Sequence, residues 1–258
     1  MEIIRSRQNP LIKQLVKLAD SRRERLKTQH TLLVGTHLVE AALQAGWPLE
    51  RVLVAEGAEG RAEIADLLAQ LKMPVTALTP ELFEAIEQAP STSGLLALTR
   101  LPAPPALHQT GCCLLLDSVQ DPGNVGSILR TAVAAGVDQV WLTPGCADIW
   151  SPKVLRAGMG AHFHLSLLER VDIDQALSCF KGPLLVTGLQ ESTSLYDCDL
   201  RGDLVLALGN EGSGVSADLL ARASTRIRIP MAGPIESLNV AAAAAVCLFE
   251  RLRQRIPA

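Results

Sequence analysis

The chain has 258 residues, 48% of them hydrophobic, and a formal net charge of −3. That is enough apolar material for one large core or two moderate ones, and too acidic for a uniformly basic nucleic-acid binder. No apolar run reaches the roughly 18 residues that span a bilayer and residues 1–30 lack the apolar stretch of a secretory signal, so a cytoplasmic protein without membrane contact is expected. Cys112, Cys113, Cys146, Cys179, Cys198 and Cys247 form no C-x-x-C pair, which argues against a zinc ribbon or a redox dithiol, and no metal site is expected.

In chain order, the first hundred residues alternate helical and strand-like patterns. A helix is predicted over Pro10 to Lys27, a strand at Thr31 to Val34, a helix over His37 to Gln44 and a strand at Arg51 to Ala55. A helix over Ala62 to Leu71, a strand at Val75 to Leu78, a short helix over Glu81 to Glu87 and a strand at Leu95 to Thr99 complete a small α/β layer structure. Residues 1–30 hold eight basic side chains, among them Arg22, Arg23 and Arg25, against three acidic ones, a surplus that suits either a solvated helix face or a surface turned to phosphates. Three prolines in Leu101 to Leu107 then resist both helix and sheet, so residues 101–107 read as a linker between domains at 1–100 and 108–258.

Beyond the linker, Cys112 to Leu116 reads as a buried strand ending at Asp117. Asp121-Pro122-Gly123-Asn124 is a turn with Asn124 as N-cap, and Val125 to Ala135 is a helix closed by Gly136. A strand follows at Gln139 to Thr143, and Ser151-Pro152 opens a helix with its cap and N1 proline. Further strands are predicted at Phe163 to Leu167, Leu184 to Thr187, Leu204 to Leu208 and Arg226 to Ile229, a short helix starts near Ser216, and a last helix runs from Leu238 to Arg253. The row Ala241 to Ala245 gives that helix a smooth side for close packing or a subunit contact.

Three segments place Gly, Asn or Ser at the ends of apolar runs, where open α/β sheets bind ligands. They are DSVQDPGNVGSILRTA (117–132), LALGNEGSG (206–214) and IPMAGPIESLNVAAAA (229–244). Arg130 is a lone charge in an otherwise uncharged helix and needs solvent or an anionic partner; six residues before it, Asn124 stands at the helix mouth, so both can face one cleft. Gly209, Gly212 and Gly214 allow close backbone approach to a ligand. The same stretch satisfies G-x-G-x-x-A at Gly212 to Ala217, a weak dinucleotide fingerprint, and imitates a phosphate loop, but Val215 stands where the lysine should be. Ser237, taken alone, reads as an N-cap. His162 and His164 would share one strand face without a third ligand, and Lys153 and Arg156 share a helix face suited to RNA phosphates or to plain solvent.

Together the three segments resemble, in this order, the three motifs of the SpoU (TrmH) family of RNA 2′-O-methyltransferases. The resemblance implies a SPOUT-type parallel sheet with a C-terminal trefoil knot, an exception to unknotted topology, preceded by a domain like ribosomal protein L30e that binds substrate. It implies Arg130 as the catalytic arginine, with Asn124, Glu211, Ser237 and Asn239 at the reaction centre, and S-adenosylmethionine held around Thr187, Gly209, Ile229 and Leu238. It also implies a homodimer whose active site lies near the subunit interface. A guanidinium holds its proton too firmly for easy base catalysis, so Arg130 is read primarily as a clamp on the phosphate beside the attacking hydroxyl. Gly158 stands where the family commonly has serine, and with only 3% aromatic residues, phosphate and 2′-hydroxyl contacts should outweigh base stacking. The L30e-like part favours ribosomal RNA, set against two other readings: a transfer-RNA 2′-O-methyltransferase, and a non-catalytic RNA-binding or ribosome-assembly protein on the same fold. A nucleotide-dependent oxidoreductase, built on the G-x-G-x-x-A match, is the remaining rival.

Overall fold

The computed structural model describes residues 2–87 and 93–256. Contacts divide the chain into two compact units, Met1–Ala103 with Trp150–Phe163, and Pro104–Ile149 with His164–Ala258.

The first unit contains β1 (Glu2–Ile4), α1 (Pro10–Asp20), α2 (Arg22–Thr28), β2 (His30–Val34), α3 (Thr36–Gln44), β3 (Leu49–Ala55), α4 (Ala62–Gln70), β4 (Val75–Leu78), α5 (Pro80–Glu87) and β5 (Leu95–Arg100). Its sheet has the order β1-β4-β3-β5-β2, with β5 antiparallel to both neighbours and the remaining pairs parallel. Strand β1 has too little apolar alternation to be read from sequence, and its pairing with β4 is what makes it a strand.

The single helix expected over Pro10 to Lys27 is two. Ser21 ends α1 with its N–H on the Lys17 carbonyl (2.9 Å), adopts an extended conformation (φ −113°, ψ 112°), and opens α2 by accepting from the Glu24 N–H at 3.3 Å. A serine favours such a cap over a helix interior because its hydroxyl competes for backbone groups. The break turns Arg25 inward: it is only 4% exposed, and its Nη1 donates to the Leu18 carbonyl and, at 3.2 Å, to that of Ala19. Arg23 and Lys27 remain exposed. Of the three arginines read as a phosphate-facing group, one therefore closes the end of α1 instead.

The second unit begins with β6 (Cys112–Leu116), α6 (Pro122–Ala134) and β7 (Gln139–Leu142). The chain then gives α7 (Pro152–Gly158) to the first unit before β8 (Ser166–Glu169), α8 (Ile173–Cys179), β9 (Leu184–Thr187) and β10 (Thr193–Ser194). It ends with β11 (Leu204–Leu208), α9 (Ala217–Arg222), β12 (Thr225–Arg228) and α10 (Val240–Arg255). All pairs in the sheet β10-β12-β9-β11-β6-β7-β8 are parallel, so the carboxyl ends of the strands share one edge. Strands β6, β7 and β11 are buried at every position, as a sheet covered on both faces requires. The core centres on Trp141, whose ring meets that of Phe180 edge-on at 5.8 Å. Buried Gln139 satisfies its amide by accepting from His108 N (2.9 Å) and Trp141 Nε1 (2.6 Å) and donating to the Ala106 carbonyl (2.9 Å) and Ser166 Oγ (2.8 Å), which fastens the end of the proline-rich segment to the sheet.

Residues 150–163 pack with the N-terminal sheet although they lie between two strands of the other. Thr31 Oγ1 donates to the Trp150 carbonyl at 2.6 Å, and the Trp47 ring sits 5.1 Å from Phe163 and 6.4 Å from Trp150. Much of the small aromatic complement is spent here on packing. The expected strand from Phe163 to Leu167 is replaced by a 3₁₀ turn at Ala161–Phe163, and β8 starts three residues later. His162 is buried and His164 exposed, so they do not share a strand face, and no group of three potential metal ligands occurs among the described residues.

Candidate active site

The loop after β11 is shaped by its own hydrogen bonds. Asn210 and Gly214 exchange both backbone bonds (2.9 and 3.0 Å), and Asn210 Oδ1 accepts from the N–H groups of Gly212 (2.9 Å) and Ser213 (3.0 Å). A Cβ on Gly209 would run into the backbone of Gly214 and Val215. The close approach that Gly209 permits is therefore made by the loop itself before any ligand arrives. Because the Gly212 and Ser213 N–H groups are already taken, they offer no free cradle for a phosphate, which removes the physical basis of both the dinucleotide and the phosphate-loop readings.

This loop is fastened to the segment after β6. Asn210 Nδ2 donates to the Ser118 carbonyl (2.9 Å), and Asp117 accepts from Ser216 N (2.8 Å) and Thr143 Oγ1 (3.2 Å). Asp117 and Asn210 carry the joint and were not singled out from sequence. An acid ending a buried strand and an Asn between glycine and glutamate were the available signals.

Helix α6 starts earlier than expected. Asp121 is its N-cap, accepting from Asn124 N at 2.7 Å, so Asn124 sits inside the first turn with its side chain free for another task. Its Nδ2 donates to Glu211 Oε1 at 3.0 Å, and its Oδ1 accepts from Asn239 Nδ2 at 2.9 Å. Glu211 also accepts from the backbone N–H groups of Gln120 (3.2 Å) and Asp121 (3.1 Å). Burial opposes its ionisation, but the bonds from Asn124 and from the backbone outweigh that and hold its carboxyl below the ordinary glutamate range. At the far end, Asn239 rather than Ser237 caps α10, accepting from Ala241 N (2.9 Å) and Ala242 N (3.3 Å), and the helix accordingly begins at Val240 instead of Leu238.

Thr187 ends β9, Gly209 follows β11 and Ile229 follows β12; with Leu238 they line a cleft of about 730 Å³ at the carboxyl edge of the sheet. Glu211, Ser237 and Asn239 line it too. Leu189 and Met231 add exposed apolar surface to the same wall. Asn124 is joined to the cleft through Glu211 and Asn239 but is not part of its wall, and neither is Arg130. Arg130 is exposed on α6 and makes no hydrogen bond or ion pair among the described residues. Lys153 and Arg156 lie exposed on α7, in the other unit.

Residues 111–249 match the SpoU rRNA Methylase family, and residues 9–97 match the MRM3-like substrate binding domain. The chain is 35% identical to an uncharacterized tRNA/rRNA methyltransferase of Synechocystis sp., over 98% of this chain and 94% of that protein. It is 32% identical to the 23S rRNA (guanosine(2553)-2′-O)-methyltransferase RlmP of Bacillus subtilis, over 96% and 98% of the two chains. Among solved structures, the SpoU methyltransferase AviRb of Streptomyces viridochromogenes in complex with AdoMet superposes with a TM-score of 0.87 at 26% identity, covering 96% of this chain and 98% of that one.

Proposed function

The chain belongs to the SpoU rRNA methylase family, and on that premise we propose that it methylates a ribose 2′-hydroxyl in large-subunit ribosomal RNA, with S-adenosylmethionine as donor. Two segments far apart in sequence line one cleft at the carboxyl ends of β9, β11 and β12, a third is hydrogen-bonded to both through Asn124, and that convergence carries the proposal. The cleft suits the donor: its volume of about 730 Å³ lies in the range of cofactor sites, and Leu189, Met231 and Leu238 offer apolar surface to a purine beside strand-end polar groups. When bound, the donor supplies an electrophilic sulfonium methyl. The work left to the chain is alignment of the attacking hydroxyl and stabilisation of its developing charge. Arg130, exposed and unpaired among the described residues, is suited to clamp the phosphate beside that hydroxyl.

The same proposal assigns residues 1–100 to RNA recognition and 101–107 to a linker preceding the catalytic domain at 108–258, of which residues 150–163 pack with the first unit instead. Exposed Lys13, Lys17, Arg23 and Lys27 on α1 and α2 supply the positive surface for this. It includes a cytoplasmic homodimer that would cover exposed Phe249 of α10 and Ile256 at its end, and a C-terminal trefoil knot. Insertion of β12 between β10 and β9, strands laid down before it, supports the knot. No helix among the described residues is long and apolar enough to cross a membrane.

Mapping 2′-O-methylation across total RNA from cells with and without the protein tests the reading. One ribose mark in large-subunit RNA should vanish with the gene and return on incubation with purified protein and S-adenosylmethionine. A lost mark in transfer RNA would move the substrate, and no lost mark would sink the activity.

A further inference from the structure

An amide side chain has a direction, because its oxygen only accepts and its nitrogen only donates. Glu211, ionised and already accepting from Gln120 N and Asp121 N, offers Asn124 nothing but acceptors, so Asn124 presents Nδ2 to it (3.0 Å). That leaves Asn124 Oδ1 facing Asn239, which must answer with its own Nδ2 (2.9 Å). Asn239 Oδ1 is then the atom left for Ala241 N (2.9 Å) and Ala242 N (3.3 Å), and a helix N-terminus offers only donors. Both ends of the chain of bonds therefore impose the same polarity. The Asn239 amino group has two hydrogens and uses one on Asn124, and Asn239 lines the cleft, so one N–H donor remains available there.

We propose that Glu211 is a positioning residue whose carboxylate sets the direction of a two-amide relay through Asn124, so that Asn239 offers its second N–H to an acceptor oxygen of the bound reactants. This rests on the methyltransferase reading. The acceptor is an oxygen of S-adenosylmethionine, in its carboxylate or ribose, or the attacking 2′-oxygen of the RNA. Burial without these bonds would leave the carboxyl easier to protonate, so the bonds that lower its titration also preserve the relay's polarity.

Full-length Glu211→Gln, Asn124→Asp and the double variant test it. The first substitution can keep an amide oxygen at the Oε1 position, where Asn124 Nδ2 and Asp121 N both donate, and turns its amino group only toward Gln120 N, whereas the second turns a carboxylate toward that of Glu211. In the double variant the introduced glutamine turns its amino group to the introduced aspartate, which still accepts from Asn239, and keeps its oxygen on the Gln120 N–H, so the polarity is restored at the cost of the Asp121 N–H bond. Asn124→Asp should lower donor affinity by calorimetry, or the single-turnover rate on transcribed RNA, by about tenfold or more, the scale of a charged hydrogen bond, Glu211→Gln should lower it less, and the double variant should recover part of the Asn124→Asp loss. A change in donor affinity places the acceptor on S-adenosylmethionine, and a change in rate alone places it on the RNA. The Asn239 side-chain amide resonances should move in Asn124→Asp and return toward their native positions in the double variant, which a purely structural part for Glu211 does not predict. An Asn124→Asp variant too unstable to assay is compared by its thermal midpoint, which the double variant must raise. Losses that multiply in the double variant, or an Asn124→Asp variant that moves neither readout, overturn the relay; wild-type transfer in the same assays keeps the family activity separate from that outcome.

Discussion

At the start of α6, Asn124 is bonded on both sides, to Glu211 at 3.0 Å and Asn239 at 2.9 Å. Six residues along the same helix, Arg130 is exposed and bonded to nothing among the described residues. The helix supplies both positions equally well; what differs is the company brought by the β11 loop and the cap of α10. Groups at the clasped end satisfy one another and so fix the shape of the cleft before any ligand binds. The guanidinium, unpaired among the described residues, contributes nothing to that shape, and its donors stay open to an anion.

The comparison breaks most clearly at its open end. Arg130→Ala should lower methyl transfer by at least about a hundredfold, the scale of one lost charge-stabilising donor, with donor affinity unchanged and stability altered by less than about 0.5 kcal/mol. Single-turnover assays, calorimetry and denaturant titration measure the three quantities, and substantial turnover would remove Arg130 from the reaction. At the clasped end the pattern should reverse. Gly209→Val forces a side chain into the backbone of Gly214 and Val215, so donor binding should be lost together with roughly 2–4 kcal/mol of stability. A folded variant of wild-type stability that fails to bind the donor would instead mean that Gly209 is needed for the ligand and not for the loop.

The same contrast recurs at smaller scale in the first unit, where it can be sharpened with two neighbouring arginines. Arg25→Ala should destabilise by about 1–3 kcal/mol, since it removes the donors on the Leu18 and Ala19 carbonyls. Arg23→Ala, at an exposed position, should leave stability within about 0.5 kcal/mol and flatten the salt dependence of RNA affinity by roughly one unit. Filter binding across a salt series reads the second effect, and an unchanged slope would make that helix face solvent surface only.

Most elements were legible because their signals are local. Val75–Leu78, Cys112–Leu116, Leu184–Thr187 and Leu204–Leu208 are strands with the bounds their apolar runs indicate. Ser151 caps α7, accepting from Val154 N at 3.3 Å, with Pro152 at its first position. Where several residues could serve as a cap, sequence chose wrongly: Asp121 displaced Asn124, Asn239 displaced Ser237, and Ser21 interrupted an amphipathic pattern that looks continuous. Each displacement frees or spends a side chain according to neighbours distant in the chain. Short β1 and the register of β8 likewise depend on a partner strand, which periodicity within four residues cannot announce.

The sequence by itself determined that strands alternate with helices, that polar and glycine residues stand at the ends of particular strands, and that the three segments belong to one family pattern. These follow from periodicity, turn chemistry and residue identity, all of which act within a few residues along the chain. Tertiary structure alone decided that Glu211 meets Asn124 across 87 positions and Asn239 meets Asn124 across 115, that Arg25 turns inward, and that residues 150–163 leave their sequence neighbours for the other sheet. The physical reason is that a hydrogen-bonding side chain has several admissible partners in sequence, and only the packed arrangement of strands and helices brings one of them within about 3 Å.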